Sequence, residues 1–419
     1  MSSKITGPKG APDLFPPRSL LHDEIISRAA ELCKLYGYGR IETPVFESTQ
    51  LFEKGLEPGS DVVTKQMYSF EDRGGRSMTL RPDMTAPVVR SVLEHGLDRL
   101  GKPLKLYYVA PIFRQERPQA GRQRQFTQVG VEAVGSPGPE IDAEVIQLAM
   151  EVYRAAGLRD VELALNSIGH PECRASYIPK LQEYLRSIAG QLCEDCRRKI
   201  DTNPLRTFDC KVPSDRELLK DAPLIVDQLC EECAVHYGGL KSLLQESGVR
   251  FTEDPRLVRG LDYYTRTAFE FTAAGLGSQN AVGGGGRYDG LAEALGGPSL
   301  PGIGFGLGVE RIAMALEAKG AGPARRLDVF VVSIGERARL VARAVVANLR
   351  SEGYATDLDF AGRDVKAQFK AANNLGARWV IVIGDKEIET GLYTVKNMET
   401  GEEQQVQPAR LAGYLAVRR

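Results

Sequence analysis

LKLYYVAPIF (104–113), RQERPQAGRQRQ (114–125) and FTQVGVEAV (126–134) follow one another without a break. The outer runs are rich in β-branched and aromatic residues, and the middle run is polar and arginine-rich, which predicts two adjacent strands joined by a loop. Side chains alternate along a strand, so Phe126, Gln128, Gly130 and Glu132 share one face. Thr127, Val129, Val131 and Ala133 take the other, which suits a core. Two readings of the polar face stay open. It is either an exposed sheet face beside a basic turn, or a ligand platform. On the second reading Arg114, at the strand end, grips phosphate bidentately and Phe126 offers a flat face for stacking.

Outward from this hairpin the chain reads as α/β. Residues 19–36 form an amphipathic helix with Leu21, Ile25, Ala29, Leu32, Cys33 and Tyr36 on its apolar stripe, and 140–156 form another. The stretch 168–250 is helix-rich, holds six of the seven cysteines and separates strand-rich segments, as an inserted domain does. Strand-like, glycine-rich sequence returns at 257–310, followed by a helix over about 308–319 and a linker, GAGP, at 320–323. After it, strands at DVFVVSI (328–334), YATDLDF (354–360), ARWVIVIG (377–384) and GLYTVKNM (391–398) alternate with helices at 336–352, 363–376 and 408–418. That order predicts a separate small α/β domain from residue 326.

The bulk numbers exclude several classes. A chain of 419 residues, 42% hydrophobic and 26% charged, has material for two or three domains. It has no apolar run of the ~20 residues that a membrane span needs. Met1–Gly10 lacks a signal-peptide core, so the expected location is cytoplasmic. With 54 basic and 55 acidic residues, a nucleic-acid partner has to be held by local basic patches. Cysteines at this density argue against a disulfide framework.

Two glycine-rich segments, GGGGRYDG (283–290) and GIGFGLGVER (302–311), match neither phosphate loop nor dinucleotide fingerprint. Such runs permit close backbone approach to a ligand, and they also occur in plain loops. Arg311, one turn into a helix, faces either an anion at the helix start or a surface acid. In RGLDYYTRTAFEF (259–271) the two tyrosines are read as part of a strand. They then point opposite ways, and at most one shares a site with Arg259.

Taken together, TLRPDMTAP (79–87), FRQERPQAGRQRQFTQ (113–128), RGLDYYTRTAFEF, GGGGRYDGL (283–291) and GIGFGLGVER resemble the signature segments of histidyl-tRNA synthetases, in the same order. The resemblance covers nearly the whole chain. It implies a class II synthetase core (1–325) of antiparallel sheet flanked by helices, the helical insertion at 168–250, and an α/β anticodon-binding domain at 326–419. The implied reactants are ATP with Mg²⁺, L-histidine and tRNA(His), with no DNA and no membrane involved. Arg114 then holds the ATP α-phosphate, Arg311 the γ-phosphate, and Phe126 stacks on adenine. Asp83, Thr85 and Gln128 bind the amino and carboxylate region of histidine, Glu132 and Tyr264 its imidazole, and Tyr288 closes the pocket. Arg259 lies over the α-phosphate, and with Tyr263 it completes the histidine-binding set. Many members carry Glu where this chain has Asp83, which keeps the charge on an arm one methylene shorter. Residues 38–48, YGRIETPVFES, resemble the family's interface segment and imply a homodimer. A silent relative, the histidine-sensing regulatory subunit of ATP phosphoribosyltransferase, is the alternative; it typically lacks an anticodon domain and an intact RGLDYYT segment.

The insertion carries two CxxC pairs, Cys193/Cys196 and Cys230/Cys233. Four thiolates at that spacing suit one tetrahedral structural zinc, with Cys210 as a substitute ligand. Small apolar residues on helix faces fit equally well. Arg363, Lys366, Lys370 and Lys396 are available for phosphate contact in the last domain, as they are for a solvated face.

Overall fold

The computed structural model describes residues 5–55, 66–119, 121–259, 263–277, 280–321 and 327–417. The chain forms two compact units, one of residues 1–14 and 22–321, the other of 15–21 and 322–419. The 325/326 boundary and the end of the GAGP linker lie outside the described residues. Among the described residues no helix is long and apolar enough to cross a membrane.

The strands of the first unit, in chain order, are β1 (Gly39–Arg40), β2 (Phe46–Ser48), β3 (Tyr68–Glu71), β4 (Ser77–Leu80), β5 (Leu104–Phe113), β6 (Gln125–Val134), β7 (Val161–Ser167), β8 (Thr252–Glu253), β9 (Thr265–Ala273), β10 (Ala281–Arg287) and β11 (Gly302–Gly308). Eight of them make one sheet in the order β1-β5-β6-β11-β10-β9-β7-β8, and β2-β4-β3 make a small second one. The long pairings are antiparallel; β5 and β6 run in unbroken register from Leu104↔Val134 to Phe113↔Gln125. The hairpin read from 104–134 is therefore the frame on which the unit is built. On β5, Leu106, Tyr108, Ala110 and Ile112 pack with Val88 and Val92 of the helix Thr85–His95 and with Met84 at its N-cap. Gly96 ends that helix in a left-handed conformation (φ 60°), which glycine adopts without steric cost.

Between β7 and β8 the chain is helical, with Pro171–Ser187, Glu194–Thr202, Pro213–Leu218 and Glu231–Glu246 as its α-helices. Tyr177, Leu181, Leu185, Cys196, Ile200, Leu219 and Ile225 form its own core.

The second unit has β12 (Val329–Ser333), β13 (Thr356–Leu358), β14 (Trp379–Ile383), β15 (Tyr393–Asn397) and β16 (Glu403–Val406), in the order β13-β12-β14-β15-β16. β12 is parallel to both its neighbours, and β14, β15 and β16 alternate direction. Both faces of its centre are covered. Val329, Val331 and Ile381 enter one apolar cluster, Phe330, Val332 and Val380 the other. A strand buried on both faces reads as an unbroken apolar run, as VFVV and WVIVI do. The short helix Asp385–Thr390 and the strand β16 were not expected; their sequences, DKEIET and EQQV, are too short and polar for periodicity to register.

Arg287, the last residue of β10, is fully buried and clamps this end of the large sheet. Its Nε donates to Asp142 at 2.8 and 3.0 Å, its Nη1 to Asp289 at 2.8 Å, and its Nη2 to the carbonyls of Ser136 and Gly138. Thr267 on β9 donates to the same Asp142 at 2.6 Å. Removing one partner of a buried ion pair leaves the other uncompensated. Arg287→Ala is expected to destabilise the protein by ~3–5 kcal/mol in urea titration; a loss near that of a surface substitution would contradict the clamp.

Candidate active site

The large sheet, the arginine loop and the helical segment between β7 and β8 enclose a cavity of about 810 Å³. Asp83, Thr85, Arg114, Phe126, Gln128, Arg259, Tyr264, Tyr288 and Arg311 all line it. Glu132 and Tyr263 stand directly behind its wall, hydrogen-bonded to lining residues. The polar face of β6 is thus the floor of a cavity and not an exposed sheet face.

Room for these side chains comes from glycine. Gly304 on β11 pairs with Glu132 on β6, and Gly306 with Gly130. A Cβ on Gly304 would overlap the Glu132 carboxylate, and one on Gly302 the Tyr288 ring. A Cβ on Gly306 would lie 2.9 Å from the Gln128 amide, on Gly284 2.6 Å from the Arg259 guanidinium, and on Gly286 2.7 Å from the Tyr264 ring. The two glycine-rich segments are therefore neighbouring strands that clear space for the residues around them.

Glu132 is 1% exposed. Its carboxyl accepts from Thr85 Oγ1 at 2.8 Å and from the Tyr288 hydroxyl at 2.6 Å, with Tyr108 at 3.5 Å. Burial pushes its pKa from 4.5 up to about 8, against the pull of the Tyr288 and Thr85 hydrogen bonds and with the help of nearby Asp83. Burial also raises Asp83, while the Arg114 charge and hydrogen bonds from the Ala86 and Met84 amides and Tyr263 oppose it.

The two tyrosines of RGLDYYT do not point opposite ways. β9 begins only at Thr265, so Tyr263 and Tyr264 precede the pleat that would separate them. Their rings lie 4.8 Å apart, and Tyr263 also meets Tyr288 edge-on at 6.0 Å. Gly260, Leu261 and Asp262 lie outside the described residues.

Arginines and lysines outnumber carboxylates over the rest of the cavity lining. Arg114 donates Nε to the Pro82 carbonyl at 2.9 Å and stacks on Phe126 at 5.5 Å. Arg311, in the first turn of the helix Val309–Ala318, donates Nε to the Gly121 carbonyl at 2.8 Å and Nη1 to that of Ala281. Burial and neighbouring Arg122 lower its pKa, against the pull of Glu116 and Glu270. Arg259 pairs with Glu270 at 2.5 Å. Arg206, Lys211 and Arg216, from the helical segment, and Arg256 complete the wall. Sequence reasoning missed these four. NPLRTFDCKVPSDR (203–216) is visibly basic, but nothing in it tells which way an insertion folds back.

The two CxxC pairs do not share a site. Each caps its own helix: Cys193 begins Glu194–Thr202 and accepts from Cys196 N, and Cys230 begins Glu231–Glu246 and accepts from Cys233 N. The capping geometry turns each pair toward different neighbours, Cys210 and Asp215 in one case and His170 and Cys173 in the other.

An antiparallel sheet with one arginine leaving its hairpin and another entering the helix after its last strand places this chain among the class II aminoacyl-tRNA synthetases. Residues 10–312 match the family model described as histidyl-tRNA synthetase, and 328–418 the anticodon binding domain model. The chain belongs to the histidyl-tRNA synthetase family. It is 48% identical over 409 residues to the histidine–tRNA ligase of Halothermothrix orenii, covering 97% of this chain and 98% of the relative. With that of Saccharopolyspora erythraea it shares 49% over 406 residues, 96% of each. The crystal structure of apo S. aureus histidyl-tRNA synthetase superimposes with a TM-score of 0.78 at 40% identity, covering 98% of this chain and 100% of that one.

The Glu132 shift has a sign that can be tested. Below pH 4.5 the folded and unfolded chains both hold the proton. Between 4.5 and about 8 only the folded chain keeps it, so this group's contribution to stability falls as pH rises through that window. Glu132→Gln stays neutral throughout. Its stability relative to wild type, measured by urea unfolding, should rise between about pH 5 and pH 8 by an amount on the order of a few kcal/mol. A gap independent of pH would show that Glu132 is ionised in the folded protein.

Proposed function

We infer that this chain activates L-histidine with ATP and transfers the histidyl group to the 3′ end of tRNA(His), releasing AMP and pyrophosphate. The observation that carries this is the full-length likeness to histidine–tRNA ligases, joined to a cavity in which every residue expected from the resemblance is present or bonded to a residue that is. In this reading residues 1–325 are the catalytic core, interrupted at 168–250, and 326–419 bind the anticodon. The working unit is a homodimer in the cytoplasm, with residues 38–48 at its interface.

Activation brings a carboxylate oxygen of histidine to the α-phosphorus of ATP, so two anions must meet. Negative charge then builds on the phosphoryl oxygens and on the departing pyrophosphate. Arg114 and Arg259 hold the α-phosphate and Arg311 the γ-phosphate, and fixed cations of this kind lower the barrier by alignment and by electrostatics. Phe126, already under the Arg114 guanidinium, stacks on adenine. Bound Mg²⁺ neutralises phosphate charge. Glu270, beside Arg259, and Glu310, beside the Thr127 amide, line the cavity and would offer it carboxylate oxygens.

The histidine end is built for a polar ring. Asp83, Thr85 and Gln128 take the amino and carboxylate region, with Tyr263 bracing Asp83 at 3.3 Å. Glu132 and Tyr264 serve the imidazole nitrogens while Tyr288 closes the pocket. Thr85 and Tyr288 fix the two Glu132 oxygens in place. An analogue that leaves such buried groups unpaired is rejected strongly. In the transfer step a phosphate oxygen of the adenylate serves as base for the ribose hydroxyl.

ATP–pyrophosphate exchange, run across the standard amino acids, should respond to histidine alone. No exchange from a folded, histidine-binding protein would favour the histidine-sensing regulatory role instead. Arg259→Ala should still bind histidine in calorimetry while its adenylate formation falls ~10²–10³-fold; a rate close to wild type would remove Arg259 from the reaction.

A further inference from the structure

We propose that the segment between β7 and β8 is built around two structural zinc ions, one held by Cys193, Cys196, Cys210 and Asp215, the other by His170, Cys173, Cys230 and Cys233. Within each group the ligand atoms all lie within 4.8 Å of one another. A tetrahedral ion with Zn–S near 2.3 Å sets sulfur–sulfur edges of ~3.8 Å and sulfur–nitrogen edges of ~3.6 Å. The structure has Cys193 Sγ and Cys210 Sγ 3.9 Å apart, and Cys230 Sγ 3.7 Å from His170 Nε2. Cys210 Sγ lies 3.5 Å from Asp215 Oδ2. These separations are far beyond the ~2.05 Å of a disulfide, and all seven cysteines are free thiols.

The surroundings argue against a merely apolar cluster. Asp215 is 1% exposed and sits among three cysteines, held by the Cys193 amide at 3.0 and 3.2 Å. Asp215 accepts from the Cys193 amide and Cys210 Sγ, and a cation would pair its buried charge with the thiolates around it. Both CxxC pairs adopt one conformation, in which the first sulfur caps a helix and accepts the amide of the second cysteine at 3.4 Å. That turns both sulfurs of each pair to one side. Cys173 Sγ accepts the Cys230 amide at 3.2 Å, which brings the two halves of the second group together. His170 Nδ1 accepts the Cys173 amide at 3.3 Å, which holds the ring with Nε2 toward Cys230 Sγ.

Each ion has a distinct place. The first fixes the stretch that delivers Arg206, Lys211 and Arg216 to the cavity wall. The second joins the entry of the segment, just after β7, to its last helix. Thiolate-rich sets with one nitrogen or oxygen ligand suit zinc over magnesium or calcium.

The full chain, purified without oxygen from zinc-supplemented culture, should carry two zinc ions per chain by elemental analysis. Cys210→Ser and Cys173→Ser should each lose one, and the double variant both. Because a variant that fails to fold would also lose metal, the wild-type protein should be reloaded with Co²⁺. Thiolate-to-cobalt bands that grow to two equivalents, with the intense visible bands of a tetrahedral ion, support both centres. A wild-type protein with less than one equivalent and freely titrating thiols overturns the proposal, and a single equivalent overturns the two-centre assignment.

Discussion

The active-site wall depends on a strip of backbone that carries no side chains. β10 and β11 run through the middle of the large sheet, between β6 and β9, where apolar side chains would ordinarily fill the face. Here Gly284 and Gly286, with Gly302, Gly304 and Gly306, leave a trough one side chain deep. Arg259, Tyr264, Tyr288, Glu132 and Gln128 occupy it, each from another strand or turn. A single added methyl at Gly304 would displace Glu132, the most deeply buried carboxylate of the pocket. Glycine in a strand is ordinarily a weakness, because it packs nothing and costs entropy. The sheet offsets it with long registers on β5–β6 and with the Arg287–Asp142 clamp at the strand end.

Two opposed electrostatic regions follow from that trough. At one end buried carboxyls and phenols hydrogen-bond one another, and burial raises the pKa of Glu132. At the other, arginines from four separate chain segments crowd together and burial lowers the pKa of Arg311. A ligand with a neutral or weakly basic ring and a polyanionic tail complements both ends. Most of the groups that face it are polar, with Phe126, Leu257, Val258, Val282 and Phe305 as apolar patches between them.

Much of this was legible because it is local. The 104–134 hairpin announced itself through alternation and an arginine loop, and its register places Phe126, Gln128 and Glu132 as the alternation requires. The core strands VFVVS and WVIVI of the second unit were equally plain. What could not be read depended on where a strand starts or how a distant segment returns. The tyrosine pair was misread because the pleat begins one residue later, at Thr265, and alternation says nothing about a turn. The partners of the cysteines, His170 and Asp215, lie in HPEC and VPSDR, which have no spacing signature of their own. Arg206, Lys211 and Arg216 reach the cavity only because the insertion folds back over it, a fact of tertiary packing.

β7 and β8 lie side by side as a parallel pair, with Ala164 opposite Thr252 and Leu165 opposite Glu253. The chain therefore leaves the sheet at the end of β7 and rejoins it on the adjacent strand position, about three residues back along β7. What happens between those points is a closed excursion, and its length matters little to the sheet, because the entropy of closing a loop grows only slowly with its length. With its own apolar core, the excursion is a cassette: its contents can be lengthened, shortened or replaced while the strands that frame it keep their register. The stretch that delivers Arg206, Lys211 and Arg216 to the cavity wall ties one part of the cassette to the site beneath it.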